Sequence, residues 1–138
     1  MIAYVDSSVV LRLVLGQPGA LAEWRTLDEG ITSALTEVEC LRTLDRLRIL
    51  EGIPDQALAE RRESVYQLLA SLAVMEIGRT VLDRAAQPLP TALGTLDAIH
   101  LATAQIWRET TRTTLTMATH DASLATAARA LGMPIAGA

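Results

Sequence analysis

The sequence has 138 residues, of which 50% are hydrophobic, and this predicts one folded domain with a sizeable core rather than a disordered chain. The formal net charge is −4, with twelve arginines and no lysine, so bulk charge does not favour nonspecific binding of nucleic acid. Cys40 is the only cysteine, which excludes an internal disulfide or a thiolate metal cluster within the chain and predicts a small buried residue.

The hydropathy pattern predicts a cytoplasmic protein. No apolar run approaches the roughly 18 residues that a membrane-spanning helix needs. The first residues also lack the basic stretch and the small-residue cleavage site of a secretory signal. We therefore expect neither membrane insertion nor export.

The first segment in chain order, MIAYVDSSVVLRLVL, predicts a buried strand followed by a helix. Residues 2–5 form an apolar run that is too short for a helix, and Asp6-Ser7-Ser8 ends it. Apolar residues then recur at helical spacing. Asp6 lies where the strand ends and the helix begins, so it can cap the helix or belong to a site at the sheet edge where ligands bind.

The middle of the chain alternates between helical patterns and short strand-like runs. Proline disfavours helix at its own position and at the preceding residue, so residues 87–90 should be extended. The predicted elements are a short helix over residues 20–29 that ends at Gly30, a weak strand over residues 31–33, a long helix with an apolar residue at every third position from 35 to 50, a helix over residues 55–71, a strand over residues 72–75 and a short helix over residues 79–86.

The segment LGTLDAIHLATAQIW, residues 93–107, is apolar or small on nearly every side, which predicts a helix in the middle of the core. Thr95 is its expected N-cap. Asp97 then falls in the first turn, where the helix dipole favours an anion. Two strands follow in the prediction, one over residues 115–118 and a short one at Pro134-Ile135, with a helix between them.

This alternation predicts an α/β domain with three layers, in which helices flank a mainly parallel central sheet of four to five strands. Asp6 and Asp121 each follow a predicted strand, and Asp97 lies at a helix start. Glu39 lies one turn into the helix after the second strand. Because strand ends and helix starts share one edge of a doubly wound sheet, all four carboxylates can converge there.

Converging carboxylates favour a Mg²⁺ or Mn²⁺ site, because these hard cations prefer oxygen ligands and retain several waters. Such ions activate a water and stabilise charge on a phosphoryl group undergoing displacement. Each acid also has an ordinary explanation. Helix capping or the helix dipole accounts for the aspartates, and an i, i+3 ion pair with Arg42 accounts for Glu39.

Several neighbours of these acids have open roles. Glu37 is a rival to Glu39 and points about 200° away around the helix, so only one of the two can face the site. Arg42 either meets a phosphate or pairs with Glu39. Ser7 and Thr119 are candidates for orienting a carboxylate or a water.

Four blocks of the sequence carry a resemblance to the PIN domain, in particular to the VapC-type toxins of bacterial toxin–antitoxin pairs. These blocks are YVDSSVVLRLVL, TSALTEVECLRTLDRLR, LDAIHLATA and ATHDASLATAARALGMPI. Asp6 matches the Asp after the first strand of that family. Glu39 matches the Glu of its Val-Glu-x-x-Arg motif, Asp97 the Asp of Asp-Ala-x-His-Leu-Ala, and Asp121 the Asp of Thr-x-Asp. His120 departs from the family, where an aromatic residue such as Tyr is frequent.

The resemblance implies a single PIN domain over residues 1–138, acting as a metal-dependent endoribonuclease on tRNA or other structured RNA. It also implies that the four acids hold Mg²⁺ or Mn²⁺, that a small VapB-like antitoxin is a partner, and that the working form is a homodimer. His100 lies one turn after Asp97 and is expected to be a hydrogen-bonded core residue rather than a zinc ligand. The chain has few aromatic residues, so RNA would be held by its backbone and shape.

Two other classes of function are open to this sequence. A noncatalytic PIN-like module could bind protein or RNA and retain the acids as helix caps, although the presence of all four family acids argues against it. A phosphotransferase could use Asp6 as a nucleophile. Such enzymes commonly place a second Asp two residues later, where Ser8 stands here.

Overall fold

Helices and parallel strands alternate along the chain in the computed structural model, which describes all 138 residues. No helix is both long enough and apolar enough to cross a membrane. The elements are β1 (Ile2–Val5), α1 (Ser7–Val14), a 3-10 helix (Ala22–Thr26), β2 (Glu29–Ser33), α2 (Ala34–Glu51), α3 (Asp55–Ala70), β3 (Ala73–Met75), α4 (Arg79–Ala85), α5 (Thr95–Thr111), β4 (Thr116–Ala118), α6 (Ala122–Ala130) and β5 (Ile135–Ala136).

The first strand is the centre of a five-stranded sheet in the order β3-β2-β1-β4-β5, and every strand pair is parallel. From β1 the chain builds first towards β3 and later crosses to β4 and β5, so the strand order reverses beside β1. In open parallel sheets, the crevice at the carboxyl ends of strands beside such a reversal is where ligands bind. The predicted mainly parallel sheet of four to five strands is confirmed.

Two apolar layers cover the two faces of the sheet. Because strand residues alternate between faces, Tyr4 packs with α5 and α6, whereas Ala3 and Val5 pack with α1, α2 and α3. All three side chains are fully buried. The three-layer arrangement is therefore confirmed, and α5 lies in the core as its composition predicts.

The predicted helix over residues 20–29 is wrong in extent. Only Ala22–Thr26 is helical, as a 3-10 segment, and β2 already begins at Glu29. Gly30 does not end a helix but pairs with Ala3 of the central strand. A Cβ at Gly30 would meet Cδ2 of Leu72, the end of a flexible side chain, so a larger residue there would require Leu72 to move.

The buried face of α2 and the predicted cap of α5 both differ from the sequence pattern. The apolar residues at every third position of α2 coincide with its buried residues only at Leu44; the other two are Thr36 and Cys40. A spacing of three drifts around a helix of 3.6 residues per turn, which leaves Val38 57% exposed. The residue that caps α5 is Gly94, with no side-chain cap, and Thr95 is the first helical residue.

Candidate active site

Asp6 lies at the carboxyl end of the central strand and is almost completely buried, with 3% of its surface exposed. Its Oδ1 accepts a hydrogen bond from the backbone N–H of Val9 at 3.3 Å, so it does cap α1. The hydroxyl of Ser8 donates to the same oxygen at 2.5 Å, and Thr119 Oγ1 donates to Oδ2 at 2.7 Å. Burial raises the pKa of Asp6 from its ordinary value, and these hydrogen bonds oppose that rise.

Thr119 joins the ends of β1 and β4. Besides donating to Asp6, its Oγ1 accepts a hydrogen bond from the backbone N–H of Asp121 at 2.9 Å. Asp121 in turn caps α6 by accepting from the N–H of Leu124 at 2.9 Å. The predicted role of Thr119 in orienting a carboxylate agrees with this geometry.

The sequence analysis named Ser7 as a candidate for orienting a carboxylate, but the hydroxyl that donates to Asp6 is that of Ser8. Ser8 Oγ also accepts from the backbone N–H of His120 at 2.9 Å, so it ties the two strand ends together. Ser7 is the first residue of α1, and its carbonyl is the acceptor for the thiol of Cys40. The chain passes from β1 into α1 at Asp6, and the first turn of α1 places the Ser8 hydroxyl beside the Asp6 carboxylate.

Asp97 faces the other acids from the first turn of α5. Burial is the main cause of its raised pKa, and repulsion by the charge of Asp121 is the next largest. Asp6 and Glu39 raise the pKa of Asp97 further, while His100 lowers it. Asp97 therefore lies near enough to the other three acids for the charge of each to raise its pKa.

Glu39 is the member of its pair that faces this edge. Its side chain is 20% exposed, and its Oε1 accepts a hydrogen bond from Nε2 of His100 at 2.5 Å. Glu37 is exposed to solvent. Arg42 does not pair with Glu39; its guanidinium donates to Asp45 at 3.2 Å and is 70% exposed.

His100 is a hydrogen-bonded core residue, as expected, but it also touches the site. It is 1% exposed, and its Nδ1 lies 2.7 Å from the hydroxyl of Tyr4. The two rings meet edge to face, with centroids 5.8 Å apart. The sequence did not predict the contacts between Glu39, His100 and Tyr4. The one feature that indicated a place for His100 near the site was its spacing of one helical turn from Asp97.

The acids at this edge offer carboxylate oxygens, which are the ligands that a hard divalent cation prefers. Burial is the main cause of the raised pKa of Asp97, and the repulsion by neighbouring acids that adds to it is what a bound cation would relieve. No group of three or more histidine, cysteine and acidic side chains is gathered closely enough here to hold a metal ion. The type of donor, carboxylate oxygen, suits Mg²⁺ or Mn²⁺ better than a structural zinc site, which favours thiolate and imidazole ligands.

Replacing Ser8 with alanine should impair catalysis, whereas the same change at Ser7 should not. We expect Asp6 to bind a divalent cation, and the loss of a hydrogen bond to such a ligand should cost about 10- to 100-fold in metal affinity or activity. RNA cleavage and Mn²⁺ affinity of Ser8→Ala and Ser7→Ala, measured side by side, check this. Equal effects of the two changes would contradict the assignment of Ser8 as the residue that holds Asp6.

The fold and the site define a class: parallel α/β domains that gather carboxylates beside the central strand. Residues 3–130 match the family model of the PIN domain. The chain therefore belongs to the PIN domain family. It is also similar to Ribonuclease VapC46 of Mycobacterium tuberculosis, with 36% identity over 136 residues that cover 96% of this chain and 94% of the relative. The PIN and VapC-type resemblance read from the sequence is confirmed.

Solved structures share the fold at lower identity. FitAcB from Neisseria gonorrhoeae superposes with a TM-score of 0.73 at 20% identity, covering 98% of this chain and 96% of that one. A toxin–antitoxin complex from Klebsiella pneumoniae gives a TM-score of 0.59 at 20% identity, covering 86% of each chain. At this identity these likenesses establish the arrangement of helices and strands.

Proposed function

We propose that this protein is a metal-dependent endoribonuclease that hydrolyses phosphodiester bonds of RNA and acts as the toxin of a toxin–antitoxin pair. The observation that carries the proposal is the group of four acids at one sheet edge, in which Asp97 has a raised pKa because of burial and the other three charges. Its 36% identity to a mycobacterial ribonuclease over nearly the whole chain supports the same reaction class.

Each acid would have a defined part in holding the cation. Asp6 is fixed by Ser8 and Thr119, so its oxygens keep one orientation. Asp97, Asp121 and Glu39 would complete the oxygen ligands from helix starts around it. A divalent cation held there would supply an activated water and neutralise charge on the phosphate under attack.

The RNA and the protein partners are part of the same proposal. The substrate would be tRNA or another structured RNA, held by its backbone and shape. A small VapB-like antitoxin would bind the toxin, in keeping with the fold shared with a chain of a toxin–antitoxin complex. We further propose that the protein works as a homodimer in the cytoplasm, where its RNA substrate is found.

Glu39→Gln and Glu37→Gln provide a matched test of the reaction. A metal ion stabilises the transition state by several kcal/mol, and the loss of one of its ligands removes part of that stabilisation. Because about 1.4 kcal/mol corresponds to a factor of ten in rate, we expect Glu39→Gln to lower the rate of cleavage at least about 100-fold. Glu37→Gln, on the exposed side of the same helix, should cleave like the wild type. The assay is incubation with total RNA followed by mapping of the new ends, with Asp97→Asn as a second inactive variant.

The metal requirement and the noncatalytic alternative are tested together. Cleavage should stop in EDTA and return on addition of Mg²⁺ or Mn²⁺. A Mn²⁺ titration that yields neither thermal stabilisation nor cleavage of any RNA in a broad panel would replace the ribonuclease with a binding module. Undiminished cleavage by Glu39→Gln would remove that residue from the site.

A further inference from the structure

A chain of three buried or half-buried side chains links the core of the sheet to Glu39. Tyr4 on β1 contacts His100 on α5 at 2.7 Å, and His100 contacts Glu39 on α2. These are the same three elements that carry Asp6, Asp97 and Glu39. The chain therefore fixes the relative placement of three of the four acids.

The hydrogen bonds of this chain follow from what each group can donate or accept. A carboxylate accepts, so Nε2 of His100 carries the hydrogen that faces Glu39. In the tautomer with its hydrogen on Nε2, Nδ1 accepts, and the phenol of Tyr4 donates to it. Tyr4 thus selects the tautomer of His100 that can donate to the carboxylate.

Packing holds the histidine ring in this orientation. Tyr4 is fully buried and His100 is 1% exposed, so neither side chain can turn to water for another partner. The edge-to-face contact of the two rings, with an interplanar angle of 68°, further restricts rotation of the imidazole. Glu39 is the member of the chain with access to solvent, at 20% exposure. Its Oε1 is held by His100, whereas its other oxygen, Oε2, takes no part in that hydrogen bond.

We propose that His100, oriented by Tyr4, is a positioning residue that holds Glu39 in the conformation in which it binds the divalent cation. This inference rests on the proposed metal-dependent function. A histidine that hydrogen-bonds to a metal-binding carboxylate limits the rotamers of that carboxylate before the cation binds. Freed from this contact, Glu39 on the partly exposed flank of α2 would sample other rotamers and bind the cation less tightly.

The test is a double-mutant cycle read by Mn²⁺ affinity, with free Mn²⁺ quantified by electron paramagnetic resonance. His100→Leu replaces the imidazole with an apolar side chain of similar size and removes the Nε2–H donor. We expect it to weaken Mn²⁺ binding about 10- to 100-fold. In a Glu39→Gln background the same change should have little further effect, because the interaction it removes is already absent. His100→Gln places an amide donor near the position of Nε2 and should restore most of the affinity.

Tyr4→Phe removes the phenol that selects the tautomer and should weaken Mn²⁺ binding by less than His100→Leu. Tyr66→Phe is its control, since Tyr66 is 44% exposed and bonded to Arg62 on the surface. Should His100→Leu fail to fold, Tyr4→Phe and His100→Gln still provide the comparison. Melting temperatures in EDTA report packing separately from metal binding.

Two results would overturn the inference alone and leave the proposed function in place. One is wild-type Mn²⁺ affinity in His100→Leu or Tyr4→Phe, with the wild-type protein binding Mn²⁺ and cleaving RNA; in that case the proposed function stands and the positioning role fails. The other is an equal loss from His100→Leu in the wild-type and Glu39→Gln backgrounds, which would mean that His100 acts through the fold and not through Glu39. A wild-type protein that neither binds Mn²⁺ nor cleaves RNA would overturn the function and the inference together.

Discussion

Asp6→Asn is expected to abolish RNA cleavage while leaving the melting temperature in EDTA unchanged or higher. Asparagine is as good an N-cap as aspartate, so the bond to the N–H of Val9 can be kept. The buried charge disappears, and with it the cost of burial that raises the pKa of Asp6. A cleavage assay and a thermal melt on the same preparation check both parts.

Asp6→Ala separates the cap from the charge. It removes the same charge but also the cap, which is worth about 0.5–2 kcal/mol, so it should melt below Asp6→Asn. Both variants should be inactive. A lower melting temperature for Asp6→Asn together with intact cleavage would make Asp6 a helix cap and nothing more.

The pH dependence of this stability difference has a definite sign. The pKa of Asp6 in the folded protein lies above its ordinary value of 3.8, so between these two values the folded state binds more protons than the unfolded state. The free energy of unfolding therefore falls as pH rises through that window. The advantage of Asp6→Asn in EDTA should be absent below about pH 4 and grow towards neutral pH. An advantage that shrinks with rising pH would contradict the assigned cause of the shift.

Leu101→Ala should lower the free energy of unfolding by about 2–5 kcal/mol. Leu101 is fully buried between α5 and the sheet, in the same apolar layer as Tyr4 and Ile31. Its truncation leaves a cavity beneath the helix that carries Asp97 and His100. Equilibrium unfolding in urea, monitored by far-ultraviolet circular dichroism, measures the loss.

Leu96→Ala is the matched control on the same helix. Leu96 is 50% exposed, and a surface substitution away from special features usually changes stability by less than about 0.5 kcal/mol. A comparable loss from the two changes would mean that α5 is not the buried central helix that its composition predicts.

Local patterns in the sequence were sufficient for the strand and helix at the start of the chain. The apolar run before Asp6 predicted β1 at Ile2–Val5, and the strand ends predicted the places of Asp6 and Asp121. The order of helices and strands, together with the parallel-sheet rule, then predicted one shared edge for the acids. These features depend on residues close together in sequence, which is why they could be read from it.

Pairing between distant strands changed what local propensity favoured. Residues 20–29 have a helical pattern, but Glu29 and Gly30 pair with Ile2 and Ala3 of the central strand, so the helix shortens to Ala22–Thr26. The periodicity of α2 similarly showed a helix without showing its buried face. That face is set by the helices α1 and α3 that pack against it, and a spacing of three residues drifts across it.

The sequence by itself determined the order of elements, the mainly parallel central sheet and the places of four acids at strand ends or near helix starts. Only the tertiary structure decided which side chains hold those acids. Ser8 rather than Ser7 reaches Asp6 because the chain turns into a helix there, and His100 reaches Glu39 across 61 residues of sequence. Periodicity reports which face of one element is apolar, whereas a hydrogen bond between two elements depends on how they pack, and that is fixed only when the core forms.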